Sequence, residues 1–225
     1  MRFKQQSMNK YVSHFHYITQ DTEGIPHHEM VTNVCAAGID WVQLRVKNKS
    51  YNEWLDIALK TEMICRHHHA KLIINDNAAI AKAVKADGVH LGKTDMDPRE
   101  ARQLLGSNAI IGGTANTFED IKQLVDAGVD YVGLGPFRFT STKENLSPVL
   151  GLTGYEGIIT QCRKSGLTIP IIAIGGIKVE DIKPLMEIGV YGIAVSSAIN
   201  RAPSIFDAVK RFKNKIKFEL EKSKN

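Results

Sequence analysis

Short runs of valine, isoleucine and leucine, bounded by glycine, aspartate or asparagine, alternate along this chain with longer stretches of helical periodicity. The apolar runs predict strands at 16–21, 41–46, 71–76, 88–92, 109–115, 131–137, 169–176 and 191–197. The spacers predict helices at 28–37, 51–68, 78–86, 98–105, 118–127, 154–165, 179–188 and about 204–222. Several open on a capping residue and close on glycine, as in "TFEDIKQLVDAG", where Thr117 can cap and Glu119 or Asp120 favours the first turn.

Alternation of this kind demands a parallel sheet. Eight such units in 225 residues most simply close into an α/β, single-domain (β/α)8 TIM barrel. A doubly wound open sheet is the rival, but no G-x-G-x-x-G follows the first strand. No linker or low-complexity segment divides the chain; residues 1–14 read as an N-terminal extension and 210–225 as the basic end of the last helix. A barrel predicts function at the carboxyl ends of its strands and in the loops just after them.

Polar residues are placed where that rule wants them. Gln43, Arg45 and Lys47 alternate in "WVQLRVK", so an extended strand would aim all three at one face. A buried parallel strand is normally apolar throughout. An amide, a guanidinium and an ammonium together suit phosphate oxygens, against the plainer alternative of a strand end with its cations reaching outward. Asn75 and Asp76 end the third strand, and Asp95 follows the fourth. Two acids past adjacent strands can converge on one divalent cation, Mg2+ with substrate phosphates being the usual case. Asp97, in "DPREA", reads as a helix N-cap; Asp76 could serve the next helix in the same way. Thr114 and Asn116 after the fifth strand are candidate hydrogen-bond donors. "AIGGI" and "VSSAI" end the seventh and eighth strands, offering Gly176, Ser196 and Ser197 as a phosphate cradle or as simple tight turns. Between them runs "GLGPFRFTSTKENLSPVLGL", too long and polar for a plain connection and read as a functional loop.

Composition removes other classes. The net charge of +5 is carried wholly by residues 210–225, where seven Lys/Arg face two Glu, so a solvated helix face explains it better than nucleic-acid binding. No apolar run approaches a membrane span, and "MRFKQQSMNKYVSHF" has no secretory apolar core. Cys35, Cys65 and Cys162 lack metal or redox spacing, as reduced thiols of a cytoplasmic protein would. The histidines at 27–28 and 67–69 are read as surface residues away from the mouth. A homo-oligomer is compatible with the sequence but not specified by it.

Five stretches in register, "QLRVK", "IIND", "ADGVHLGKTDM", "GPFRFTSTK" and "IPIIAIGGI", make the chain similar to the thiamine phosphate synthase family from "YITQD" to "VSSAI". The resemblance implies a transferase of thiamine biosynthesis that condenses 4-amino-2-methyl-5-hydroxymethylpyrimidine diphosphate with a 4-methyl-5-(2-phosphoethyl)thiazole, releasing pyrophosphate. It implies that Gln43 through Lys47, Asn75 and Thr114 hold the pyrimidine diphosphate and that Asp76 and Asp95 bind Mg2+. Thr140, Ser141 and Thr142, with Gly176, Ser196 and Ser197, would take the thiazole phosphate, and Lys143 the leaving pyrophosphate. Arg45, Lys47 and Lys143 would be the catalytic cations of a dissociative substitution needing no general base, under a loop (138–153) that closes as a flap.

The chain departs from the family pattern at Thr114 and Asn116, where serine and histidine are usual. It departs again at Lys93 for a glutamine, and at Arg138 and Phe139 for an aromatic residue and a proline. A related thiazole tautomerase would not need the Gln43/Arg45/Lys47 face or the acid pair and would carry a histidine near Pro136. A non-catalytic phosphate-ligand sensor on the same barrel would need neither the acid pair nor Lys143.

Overall fold

Eight parallel strands hydrogen-bond in chain order, and the last pairs with the first to close a barrel. The computed structural model describes residues 10–140 and 147–223. The elements are β1 (Phe15–Ile18), α1 (His27–Ala36), β2 (Trp41–Leu44), α2 (Tyr51–His67), β3 (Lys71–Asn75), α3 (Ala78–Val84), β4 (Gly88–Leu91), α4 (Pro98–Leu105) and β5 (Ile110–Ala115). They continue with α5 (Phe118–Asp126), β6 (Tyr131–Leu134), α6 (Gly151–Lys164), β7 (Ile171–Ile174), α7 (Ile182–Glu187), β8 (Gly192–Val195), α8 (Ser197–Asn200) and α9 (Ile205–Lys222). This is the TIM barrel that the alternation predicts, with α8 as an addition too short to leave a periodic signal.

Local chemistry starts the helices where the sequence places them. Ser50 and Glu53 form a reciprocal capping box before α2, and Thr117 and Asp120 form another before α5. Such caps are each worth about 1 kcal/mol. Asp97 accepts from the Arg99 amide at 2.7 Å ahead of Pro98, the N-cap role expected of it.

The barrel is packed solid. Trp41, Ile73, Ile110, Tyr131 and Ile172 form one buried cluster with Val12, while residues such as Tyr17, Leu44, Leu72, Ile74, Val132 and Leu134 belong to a second core that includes the helices' apolar stripes. The alternation follows from a strand's period of two when both faces are covered. His16 stacks on Trp41 at 4.3 Å and meets the Tyr131 edge at 5.2 Å. Burial pushes its imidazole down to about 3, so it is neutral in the folded protein. Residues of the N-terminal extension tie down the barrel's amino end: Lys10 Nζ donates to the Ala109 carbonyl at 2.6 Å and to Asp130 at 3.1 Å. On α9, Val209, Phe212 and Ile216 face inward and Lys210, Arg211, Lys213 and Lys217 face solvent, as a solvated basic face requires. No helix among the described residues is long and apolar enough to cross a membrane.

Candidate active site

The mouth differs first at β2. The sequence reading extends this strand through Val46, placing Gln43, Arg45 and Lys47 on one face, but β2 ends at Leu44. The reason lies on the neighbouring segment. Thr19 N still donates to the Gln43 carbonyl at 3.0 Å, after which side chains replace the backbone ladder. The Arg45 amide donates to Thr19 Oγ1 at 2.9 Å and the Lys47 amide to Asp21 Oδ2 at 3.1 Å. The three residues are therefore not a strand face, yet the path still converges on β3. Gln43 Nε2 donates to Asn75 Oδ1 at 2.7 Å, both residues being buried, and Lys47 Nζ lies 2.5 Å from Asp76 Oδ2.

Asp76 does not cap α3; Asn77 does, accepting from the Ile80 amide at 3.0 Å. Asp76 instead holds a left-handed backbone, with φ 67° and its amide on the His90 carbonyl at 2.8 Å. Non-glycine residues in that region cost about 1 kcal/mol or more and gather at functional sites. Its carboxylate faces that of Asp95 closely enough for each to bear on the other's charge. Burial raises the Asp95 carboxyl above its usual range and the facing Asp76 adds to this, while the Gly92 amide, donating at 2.6 Å, and Lys47 oppose it. Two carboxylates held together in a half-buried site call for positive charge, and the Lys47 ammonium already lies on one of them. The donor set fits a hard divalent cation that completes its shell with water and phosphate oxygens. Among the described residues no group of three or more His, Cys, Asp or Glu could hold a metal by itself. Lys47, Asp76 and Asn77 also line a cleft of about 220 Å³ with Asn48, Lys49 and Trp54.

Thr114, at the end of β5, is fastened from below. Tyr131 Oη lies 3.1 Å from His90 Nδ1, and His90 Nε2 lies 3.0 Å from Thr114 Oγ1. Asn116 has a structural role: its Nδ2 donates to the Gly135 carbonyl at 2.9 Å and the Pro148 carbonyl at 3.0 Å, joining both ends of the β6–α6 loop. Lys93 pairs with Asp120 at 2.6 Å.

Across the mouth the loop stem is held mainly by backbone. Phe137 N donates to the Ile174 carbonyl at 2.8 Å and Arg138 N to Gly175 at 3.0 Å. Gly175 and Gly176 have φ of 97° and 64°, and a Cβ on either would lie 2.6–2.7 Å from Pro136 or Arg138. Close approach of the loop stem therefore requires both glycines, whatever else binds there. The Arg138 guanidinium donates to the Gly176 carbonyl at 2.7 Å and to both Asp181 oxygens at 2.6 and 2.9 Å. Ser196 Oγ donates to Gln20 Oε1 at 3.0 Å, and Ser197 opens α8. Thr140 is half-buried at the end of the described stem; Ser141, Thr142 and Lys143 lie outside the described residues.

His27 corrects the reading of the histidine pairs. His67 and His69 are exposed, but His27 is buried between Thr19 Oγ1 at 2.9 Å and Asp21 Oδ1 at 3.1 Å. Burial lowers its imidazole below the ordinary histidine value, against the pull of Asp21. A histidine on the first turn after β1 gives no local hint of this, because both partners precede the helix. A larger recess of about 550 Å³ beside Lys210 and Arg211 on α9 contains none of the candidate residues.

The family described as thiamine monophosphate synthase matches residues 15–199. A thiamine-phosphate synthase of Bacteroides fragilis is 50% identical over 198 residues, which is 88% of this chain and 97% of the relative. One from Flavobacterium johnsoniae is 51% identical over 166 residues, 74% of this chain and 78% of the relative. Among solved structures, the thiamine phosphate pyrophosphorylase of Pyrococcus furiosus superposes with a TM-score of 0.80 at 29% identity, covering 92% of this chain and 97% of that one.

Proposed function

Because the chain belongs to the thiamine monophosphate synthase family, we propose that its barrel mouth joins 4-amino-2-methyl-5-hydroxymethylpyrimidine diphosphate to a 4-methyl-5-(2-phosphoethyl)thiazole, giving thiamine phosphate and pyrophosphate. The observation that carries this reading is the Asp76–Asp95 pair with Lys47 upon it, beside the Gln43–Asn75 amide pair. That grouping suits a heteroaromatic ring bearing a diphosphate.

The amide pair would hold the ring. With Gln43 Nε2 bonded to Asn75 Oδ1, Gln43 Oε1 and Asn75 Nδ2 are left as one acceptor and one donor, matching the amino group and ring nitrogen of an aminopyrimidine. Thr114 adds a hydroxyl from β5. Arg45, Lys47 and Lys143 would stabilise charge growing on the departing diphosphate, an interaction stronger in the transition state than in the bound substrate. Mg2+ held by Asp76 and Asp95 would supply further neutralisation of the diphosphate oxygens. The methylene carbon–oxygen bond breaks with its electron pair leaving on pyrophosphate, while the aminopyrimidine ring delocalises the positive charge. The thiazole nitrogen lone pair then forms the new carbon–nitrogen bond. That nitrogen carries no proton, so no general base is needed. Gly176, Ser196 and Ser197, with Thr140, Ser141 and Thr142, would hold the thiazole phosphate, and closure of the β6–α6 loop would keep water from capturing the cation.

Incubation of the protein with both substrates and Mg2+ should yield thiamine phosphate and pyrophosphate in equal amounts. Folded protein that forms neither would refute the proposal.

A further inference from the structure

His27 touches none of the groups assigned to that chemistry, yet it lies directly behind two of them. Its Nε2 faces Asp21 Oδ1, which can only accept, so Nε2 carries the proton. Nδ1 is then bare and accepts the hydroxyl hydrogen of Thr19 at 2.9 Å. With its hydrogen so directed, Thr19 Oγ1 keeps its lone pairs for the Arg45 amide at 2.9 Å. The other oxygen of Asp21 takes the Lys47 amide at 3.1 Å. One imidazole thus fixes two side chains, and these hold the backbone amides of both cations after β2 has ended. The neutral ring demanded by this arrangement is also the form that burial favours.

We propose that His27 is a positioning residue for the pyrimidine diphosphate half of the site, setting the aim of Arg45 and Lys47 through Thr19 and Asp21. The inference rests on the function proposed above. Without the ring, the Thr19 hydroxyl has an alternative partner in the Arg45 carbonyl, 3.4 Å away. Asp21, whose side chain is 42% exposed, is then free to turn to water. The segment carrying Arg45 and Lys47 would lose its fixed path, whereas the β7–β8 side contains none of these bonds.

Initial rates with each substrate varied in turn test the proposal. In His27→Ala, kcat/KM for the pyrimidine diphosphate should fall about tenfold or more, since small misplacements of charged groups are costly. The KM for thiazole phosphate should change much less, within about threefold, because that side is reached only indirectly, through Gln20, which accepts from Ser196 Oγ at 3.0 Å and makes no bond to the imidazole. His27→Gln, which can still donate to Asp21, should recover part of the loss. Asp21→Asn removes the carboxylate from a half-exposed position without emptying the core, and should give the same one-sided change even if His27→Ala fails to fold. Equal losses for both substrates, or unchanged kinetics in Asp21→Asn and His27→Gln, would overturn the proposal. Calorimetric binding of Mg-pyrophosphate to the wild type and the same variants reads the site without turnover. Absence of product from wild-type protein that binds Mg-pyrophosphate normally would therefore count against the synthase reading, not against the role of His27.

Discussion

On the β2–β4 side of the mouth, side chains grip side chains: Gln43 holds Asn75, Lys47 meets Asp76, and Asp76 faces Asp95. On the β7–β8 side, close backbone packing sets the shape: the β6–α6 stem is laid against Gly175 and Gly176, and the Arg138–Asp181 ion pair braces that stem from behind. The first arrangement stores charge in a fixed pattern before a substrate arrives. The second builds shape from close backbone packing. The contrast suits a reaction in which one substrate must lose a diphosphate and the other need only be presented to the resulting cation.

Disabling the proposed metal site on the charged side should weaken the reaction most. Asp95→Asn, or chelation of Mg2+, should lower the rate of product formation by about 10²–10³-fold, while calorimetry shows thiazole phosphate binding little changed. Lys143→Ala should slow the chemical step in single-turnover experiments by about 10²-fold, with thiazole phosphate affinity held within a few-fold. A loss of binding alone would move Lys143 to the other side of the comparison.

Gly176→Ala tests the backbone side. The new Cβ would meet Arg138 Cγ at 2.7 Å at a φ of 64°, so thermal unfolding should show a loss of about 1–2 kcal/mol. KM should rise for thiazole phosphate more than for the pyrimidine diphosphate. The smallest effect concerns Asp181. Burial pushes its carboxyl up, but the Arg138 guanidinium and the Lys178 amide outweigh burial and hold it below the ordinary carboxylate range. A depressed carboxyl stabilises the fold fully above its unfolded value of 3.8 and loses that contribution as pH falls through the folded value. Asp181→Asn should therefore flatten the acid limb of stability below about pH 4, measured by denaturant midpoints, without changing the pyrimidine diphosphate KM.

The sequence made the barrel legible because a short apolar run and a capped helix are local signals, and their alternation repeats around the closed sheet of eight strands. The acids were legible for a related reason: Asp76 and Asp95 follow buried strands whose neighbours are fixed by the topology. Where β2 ends was not, because Leu44 and Arg45 look equally strand-like. The end is decided by Thr19 and Asp21, some two dozen residues earlier. His27 and Asn116 escaped the same way: the imidazole's partners lie in the loop before its helix, and the amide's partners in the backbone of another loop. Pattern reading finds what a segment does to itself, and misses what a neighbouring strand's side chain does to its backbone.

The division of the mouth is tested most directly by titrating each substrate alone, by calorimetry, with and without Mg2+. The account predicts that pyrimidine diphosphate binding weakens by an order of magnitude or more when Mg2+ is withheld, and that thiazole phosphate binding does not change. Metal dependence of equal size for both substrates, or for neither, would contradict it.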